Sequence, residues 1–245
     1  MLIDAYAHVS ARKYKPAEIL LRDMDGAGVG HAVIVQPLND FDNSYLEEVG
    51  REQRGRFTCI ALLDPTVSNP AGYIQDLICR RRFSGVRVDA RCPGLDPFFS
   101  ELAQLSAAVM LHLPDGIGAH IAEIERIARQ WPNLRICLPH LGWPRDADGP
   151  TRDWADGLTR LSLFPNAAVV VSALYYFSRL SFPHEDTGPW IDHALACFGP
   201  ERTMLGSDFP LLLEASGYAD YFAYFSPRIS ADAARRFWRI GSESK

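Results

Sequence analysis

One carboxylate and three imidazoles, far apart along a 245-residue chain, are the side chains with the clearest capacity for chemistry. Asp208 sits in MLGSDFP, His8 in IDAYAHVS, His112 in VMLHLP and His140 in ICLPHLG. A carboxylate next to a water can take its proton as a general base. Imidazoles around it can stabilise charge on a carbonyl oxygen. Arg87, inside SGVRVD, is costly to bury unless it is paired or functional. Its planar fork suits a substrate carboxylate, and Arg91, just beyond, is a second candidate for that clamp. Tyr6, Trp143, Tyr175 and Tyr176 could stack on a planar ring or donate a hydroxyl. Trp143 and Tyr176 read as packing, whereas Tyr6 and Tyr175 are kept as substrate contacts. Cys59 and Cys137 read as small buried hydrophobes, and neither is assigned as a nucleophile.

Groups so distant in sequence need a fold that gathers them. Short apolar runs rich in Val, Ile and Leu recur at 2–5, 32–36, 57–62, 86–88, 108–112, 135–138, 168–172 and 203–206. They are apolar throughout, as for strands buried on both faces. Amphipathic stretches lie between them, among them 16–26, 42–53, 68–82, 117–130 and 189–197. Pro16 can open the first of these at no hydrogen-bonding cost, and Gly26 can close it. Strand and helix in alternation imply parallel β/α units. Eight units in about 250 residues fit a (β/α)8 barrel of the TIM type forming one domain over 1–245. No G-x-G-x-x-G or P-loop supports a nucleotide-binding sheet instead.

A barrel places catalytic groups at the C-terminal ends of its strands. His8, His112, His140 and Asp208 all fall there. The other histidines do not: His31 opens the second strand, His120 and His193 lie in helices, and His184 lies in a loop. The segment FAYFSPRISADAARRFWRI reads as one amphipathic closing helix that could form part of a homodimer surface.

Composition narrows the function classes. With 25 basic and 30 acidic residues the net charge is −5, which argues against a nucleic-acid partner. No apolar run reaches the length of a membrane span. The five cysteines lack a C-x-x-C pair and the N-terminus lacks a signal-peptide pattern, so a reduced cytoplasmic protein is expected. Of the 25 basic residues only Lys13, Lys15 and Lys245 are lysines. An interior Schiff-base lysine, or a carboxylated lysine bridging two metals, is therefore excluded.

The segments IDAYAHVS, GVGHAVIVQP, RFTCIALLDP, SGVRVD, ICLPHLGWP, VVVSALYYFS and LGSDFP resemble the amidohydrolase superfamily. The resemblance is to the branch that includes 2-pyrone-4,6-dicarboxylate lactonases, and it runs from residue 3 to about residue 210. It implies a distorted β/α barrel and hydrolysis of an ester, lactone or amide of a small organic acid. It also implies that Asp208 is the proton-transfer group and that His112 and His140 are the histidines of the fifth and sixth strands. The family usually opens with His-x-His, whereas here the segment is Tyr6-Ala7-His8. The seventh strand carries Val170 before Val171-Ser172-Ala173 where a lysine often stands.

These readings converge on a hydrolase of a small carboxylated lactone or ester. Asp208 would activate the water, His8, His112 and His140 would polarise the carbonyl, and Arg87, Arg91, Tyr6 and Tyr175 would bind substrate. No cofactor is favoured. The alternative is one divalent metal, zinc or manganese, held by His8, His112, His140 and Asp208. Two rivals stay open: a metal-dependent decarboxylase of the same superfamily, and an inactive barrel that binds a ligand or a partner.

Overall fold

A computed structural model describes residues 1–241; Lys245 lies outside the described residues. Eight strands form one parallel sheet in chain order. They are β1 (Leu2–Ala7), β2 (Val29–Val35), β3 (Phe57–Leu62), β4 (Gly85–Asp89), β5 (Ala108–His112), β6 (Arg135–Leu138), β7 (Ala167–Val171) and β8 (Thr203–Leu205). Helices alternate with them: α1 (Ala17–Ala27), α2 (Ser44–Glu52), α3 (Pro70–Gln75), α4 (Asp96–Gln104), α5 (Ile117–Gln130), α6 (Arg152–Ser162) and α7 (Gly188–Phe198). This is the barrel expected from the alternation. A five-residue π turn, Asp76–Arg80, continues α3, so the stretch read as one helix changes pitch midway.

Two apolar layers follow from side chains alternating across each strand. Ile3, Val33, Val35, Ile60, Ala108, Met110, Cys137, Val170 and Met204 fill the barrel interior. Residues one position away, such as Ile34, Ala61, Val109 and Val171, join the helices in the outer layer.

The closing segment departs from the single helix expected of it. It folds as α8 (Tyr218–Phe225) and α9 (Ala231–Trp238), separated at Ser226–Ser230. Pro227 falls in that break, where it lacks the N–H that a continuing helix needs. The Ser230 hydroxyl accepts from the Asp232 amide and restarts the helix. Ala233, Ala234 and Trp238 then pack with the interior layer, so the apolar face of α9 is used inside the molecule. Among the described residues no helix is long and apolar enough to cross a membrane.

The seam between β8 and β1 is held by side chains as well as backbone. Its backbone links are an Ala7–Phe209 bridge, Asp208 N–H to the Tyr6 carbonyl at 2.8 Å, and His8 N–H to the Phe209 carbonyl at 2.7 Å. Asp4 supplies the rest. Its buried carboxylate accepts from the Tyr6 amide (3.1 Å), the Ser207 amide (2.8 Å), the Ser207 hydroxyl (2.5 Å) and the Tyr218 hydroxyl (2.9 Å). Burial nevertheless pushes its pKa up to about 6. Gly206 lets the two segments approach this closely: a Cβ there would lie 2.7 Å from Tyr6 Cβ and 2.8 Å from the Tyr6 amide nitrogen.

Candidate active site

The expected groups are delivered from the C-terminal ends of β1, β4, β5, β6 and β8. Asp208 follows β8 with φ of +60°, and His140 follows β6 with φ of +56°. A left-handed backbone at a non-glycine residue is costly, and such residues cluster at functional sites. On β1 the register shifts between Asp4 and Ala7, a bulge that puts both Ala5 and Tyr6 in the interior layer. Tyr6 is 0% exposed, Asp208 2%, His8 3%, Arg87 4% and His140 6%, so the centre is almost closed to solvent.

Asp208 is gripped from two sides. The Tyr175 hydroxyl donates to its Oδ2 at 2.7 Å, and His8 Nε2 faces its Oδ1 at 3.8 Å. Burial pushes the Asp208 pKa up to about 7, against the lowering effects of the Tyr175 hydrogen bond and the Arg87 charge. Burial and Arg87 act the opposite way on the imidazoles. They lower His8 to about 3, His112 to about 4, and His140 well below the usual histidine range. At neutral pH all three rings are uncharged.

The hydrogen bonds fix which ring nitrogen of His8 and His112 donates, and for His140 the pairing that satisfies the Ser172 hydroxyl proton assigns it. His8 Nδ1 lies 2.6 Å from the Val35 carbonyl, so it carries the proton and Nε2 is left as an acceptor. The His140 amide donates to Ser172 Oγ at 3.1 Å, and that hydroxyl lies 3.0 Å from His140 Nδ1. Pairing the hydroxyl proton with Nδ1 leaves His140 Nε2–H as a donor. Arg87 Nη2 stands 3.5 Å from His112 Nδ1, which likewise leaves His112 Nε2–H to donate. The centre thus has an accepting half, His8 and Asp208, and a donating half, His112, His140 and Arg87.

Tyr6 stands between two of the histidines, with ring centroids 5.0 Å from His8 and 4.6 Å from His140. Arg87 Cζ lies 5.9 Å from the Tyr6 ring centroid. Arg91 is not brought in. Its guanidinium makes a two-point ion pair with Asp89, at 3.0 and 2.7 Å, and faces a groove of about 520 Å³ beside α4 and α5.

Three groups at the mouth were not singled out for a role by the sequence. Tyr14 stacks on His8 at 5.3 Å. It lies in an irregular loop, where no periodicity marks it. Trp143, expected as packing, lies 4.9 Å from the His140 ring and 6.4 Å from His112. Ser172, the partner of His140, follows β7 directly, so the strand-end rule that selected the histidines could have found it. Above them, Trp143, Pro144, Arg145, Tyr176 and Phe177 line a cleft of about 190 Å³.

The chain is 25% identical over 211 residues to the L-fucono-1,5-lactonase of Burkholderia ambifaria, covering 82% of this chain and 71% of that protein. Two solved structures share the fold. The "Putative 2-Pyrone-4,6-Dicarboxylic Acid Hydrolase" from Pseudomonas putida has a TM-score of 0.82 at 23% identity, covering 98% of both chains. An amidohydrolase from Burkholderia multivorans with bound zinc has a TM-score of 0.78 at 19% identity, covering 98% of this chain and 99% of that one.

The residues present here do not fit such a zinc ion. Among the described residues no three His, Cys, Asp or Glu groups converge to hold a metal, so His8, His112, His140 and Asp208 do not form the ligand set considered from sequence. His8 Nε2 and Asp208 Oδ1 stand 3.8 Å apart as a pair of candidate ligands, whereas a catalytic zinc takes three protein ligands. The amidohydrolase family model matches residues 4–239, nearly the whole length, and the chain belongs to that family.

Proposed function

We propose that this protein hydrolyses a small carboxylated lactone or ester without a metal, using a water that Asp208 deprotonates. The observation that carries the reading is the buried Asp208 carboxylate, its pKa raised to about 7, held between the Tyr175 hydroxyl and the accepting face of His8. A base titrating near the working pH is well matched to taking a proton from water. As a water O–H bond breaks, its proton passes to Asp208 and the oxygen adds to the carbonyl carbon. Collapse of the adduct breaks the ester C–O bond, and the leaving oxygen takes the proton from Asp208.

His112 and His140 are of the right tautomer to donate to the carbonyl oxygen. His8 is not, and its part is to accept a hydrogen bond from the second water O–H and aim the lone pair. Arg87, the fixed cation at the centre, recognises the substrate carboxylate. The substrate class draws support from the names of the relatives, a fuconolactonase and a pyrone-dicarboxylic acid hydrolase.

The test is an assay of purified protein on L-fucono-1,5-lactone, 2-pyrone-4,6-dicarboxylate and simple carboxylated esters, with metal content measured alongside. Proton release with ring opening, unchanged by a chelator, is expected. Stoichiometric zinc or manganese with activity lost on chelation would overturn the metal-free mechanism. Release of carbon dioxide would indicate a decarboxylase, and ligand binding without product an inactive barrel.

A further inference from the structure

Among the described residues, two hydrogen-bonding groups at the mouth have no hydrogen-bond partner. The Tyr6 hydroxyl and Arg87 Nε are both fully enclosed, and neither meets an acceptor. Leaving a donor unpaired in such a place is destabilising, and native proteins rarely tolerate it without a reason. The two groups belong to neighbours, since Arg87 Cζ lies 5.9 Å from the Tyr6 ring centroid. The ring itself is wedged between His8 and His140. Burial holds the phenol proton in place far above neutral pH, so the hydroxyl can donate throughout the working range.

The chemistry proposed above needs such donors. When water adds to a carbonyl, the π pair moves onto the carbonyl oxygen, and the charge that develops there must be met by preorganised hydrogen bonds. His8 cannot supply one, because its Nε2 is an acceptor. We infer that the Tyr6 hydroxyl donates to the carbonyl oxygen of the bound substrate and stabilises the oxyanion formed by water addition, with the Nε–H of Arg87 as a second unpaired donor near its ring. Tyr6 is then a catalytic residue in its own right at the position where the resemblance leads one to expect a histidine. No proton leaves the phenol: the hydrogen bond strengthens as charge develops and relaxes when the adduct collapses. The inference rests on the hydrolytic reading, and its test is chosen to separate the two.

Methylphosphonate, a tetrahedral anion, serves as the probe, titrated calorimetrically into the full-length protein and its Tyr6→Phe variant. The variant should bind it about tenfold or more weakly, the loss expected for a hydrogen bond to a charged group. It should lose about 10²–10³ in kcat on any substrate that the wild type turns over, with KM little changed. Its melting temperature should equal or exceed that of the wild type, because an unpaired buried hydroxyl has gone. Equal methylphosphonate affinity in both proteins, no binding by the wild type, or an unchanged kcat would overturn the proposal. A lower melting temperature would mark the hydroxyl as structural and overturn it as well. Tyr6-dependent binding in a protein that hydrolyses nothing would leave the anion site standing and remove the hydrolytic reading.

Discussion

His8 Nε2 and Asp208 Oδ1 face each other across 3.8 Å as two hydrogen-bond acceptors. The Val35 carbonyl fixes this by holding the His8 proton on Nδ1. The gap is too long for a direct hydrogen bond, and one water can donate to both atoms at about 2.8 Å each. A water held so has both protons committed and a lone pair free for attack.

Asp208→Asn removes the base and keeps the shape. Activity should fall by about 10²–10⁴ or more, because an amide cannot take the proton. Stability should move the other way. The folded pKa of Asp208, about 7, lies above the unfolded value. Its stabilising contribution is therefore full below about pH 4 and is lost as pH rises through 7. At pH 8 the wild type carries a buried charge that the variant lacks. Thermal melts at pH 5 and pH 8 should show the variant gaining relative stability at the higher pH; a variant that melts earlier at both would contradict this assignment.

The acid limb of kcat/KM should fall near pH 7, where Asp208 gains its proton. Tyr175 donates to Oδ2 and so favours the ionised form. In Tyr175→Phe that favour is lost and the limb should move to higher pH. The variant then loses more rate at pH 6 than at pH 8.5, where the base is ionised in both proteins. Steady-state profiles of the two proteins on one substrate decide this. A limb that stays in place would show that Tyr175 does not tune the base.

How far the sequence reached is clear from these residues. Strand ends converge on one mouth by the geometry of the barrel, so finding His8, His112, His140 and Asp208 at strand ends was enough to place them there. What a linear reading lacked was the partner of each group. The carbonyl of Val35 turns His8 into an acceptor, and Ser172 turns His140 into a donor, by contacts spanning 27 and 32 residues. Arg91 stood behind Arg87 as a second candidate for the substrate clamp, yet Asp89 two residues earlier ties it down. The closing helix was read through Pro227 because the apolar pattern continues on both sides of it.

Asp4 joins the seam to the site, since it holds the amides of Tyr6 and Ser207 on either side of Asp208. Asp4→Ala would leave at least two buried hydroxyls and two amides without their acceptor. Hydrogen bonds to a charged group contribute about 1.5–3 kcal/mol each, so the loss should reach about 3 kcal/mol even after partial repacking. For a protein of this size that is about 6–12 °C in melting temperature. Asp4→Asn, which keeps an accepting oxygen, should lose less. If the alanine variant melts with the wild type, the carboxylate does not hold the barrel closed.

Gly206 tests the same seam without removing a hydrogen-bonding group. A methyl there meets Tyr6 Cβ at 2.7 Å, the Tyr6 amide nitrogen at 2.8 Å and Val170 Cγ1 at 2.9 Å. Two of the three atoms belong to Tyr6 at or next to its backbone and cannot swing aside, so β8 must move away from β1. Overpacking of this kind costs about 1–3 kcal/mol. The movement also carries Asp208, whose amide is tied to the Tyr6 carbonyl at 2.8 Å. Gly206→Ala should therefore lose activity at temperatures where it remains folded, and circular dichroism beside a rate measurement separates the two effects. A folded variant with wild-type turnover would mean that the separation of β1 and β8 does not set the position of the catalytic carboxylate.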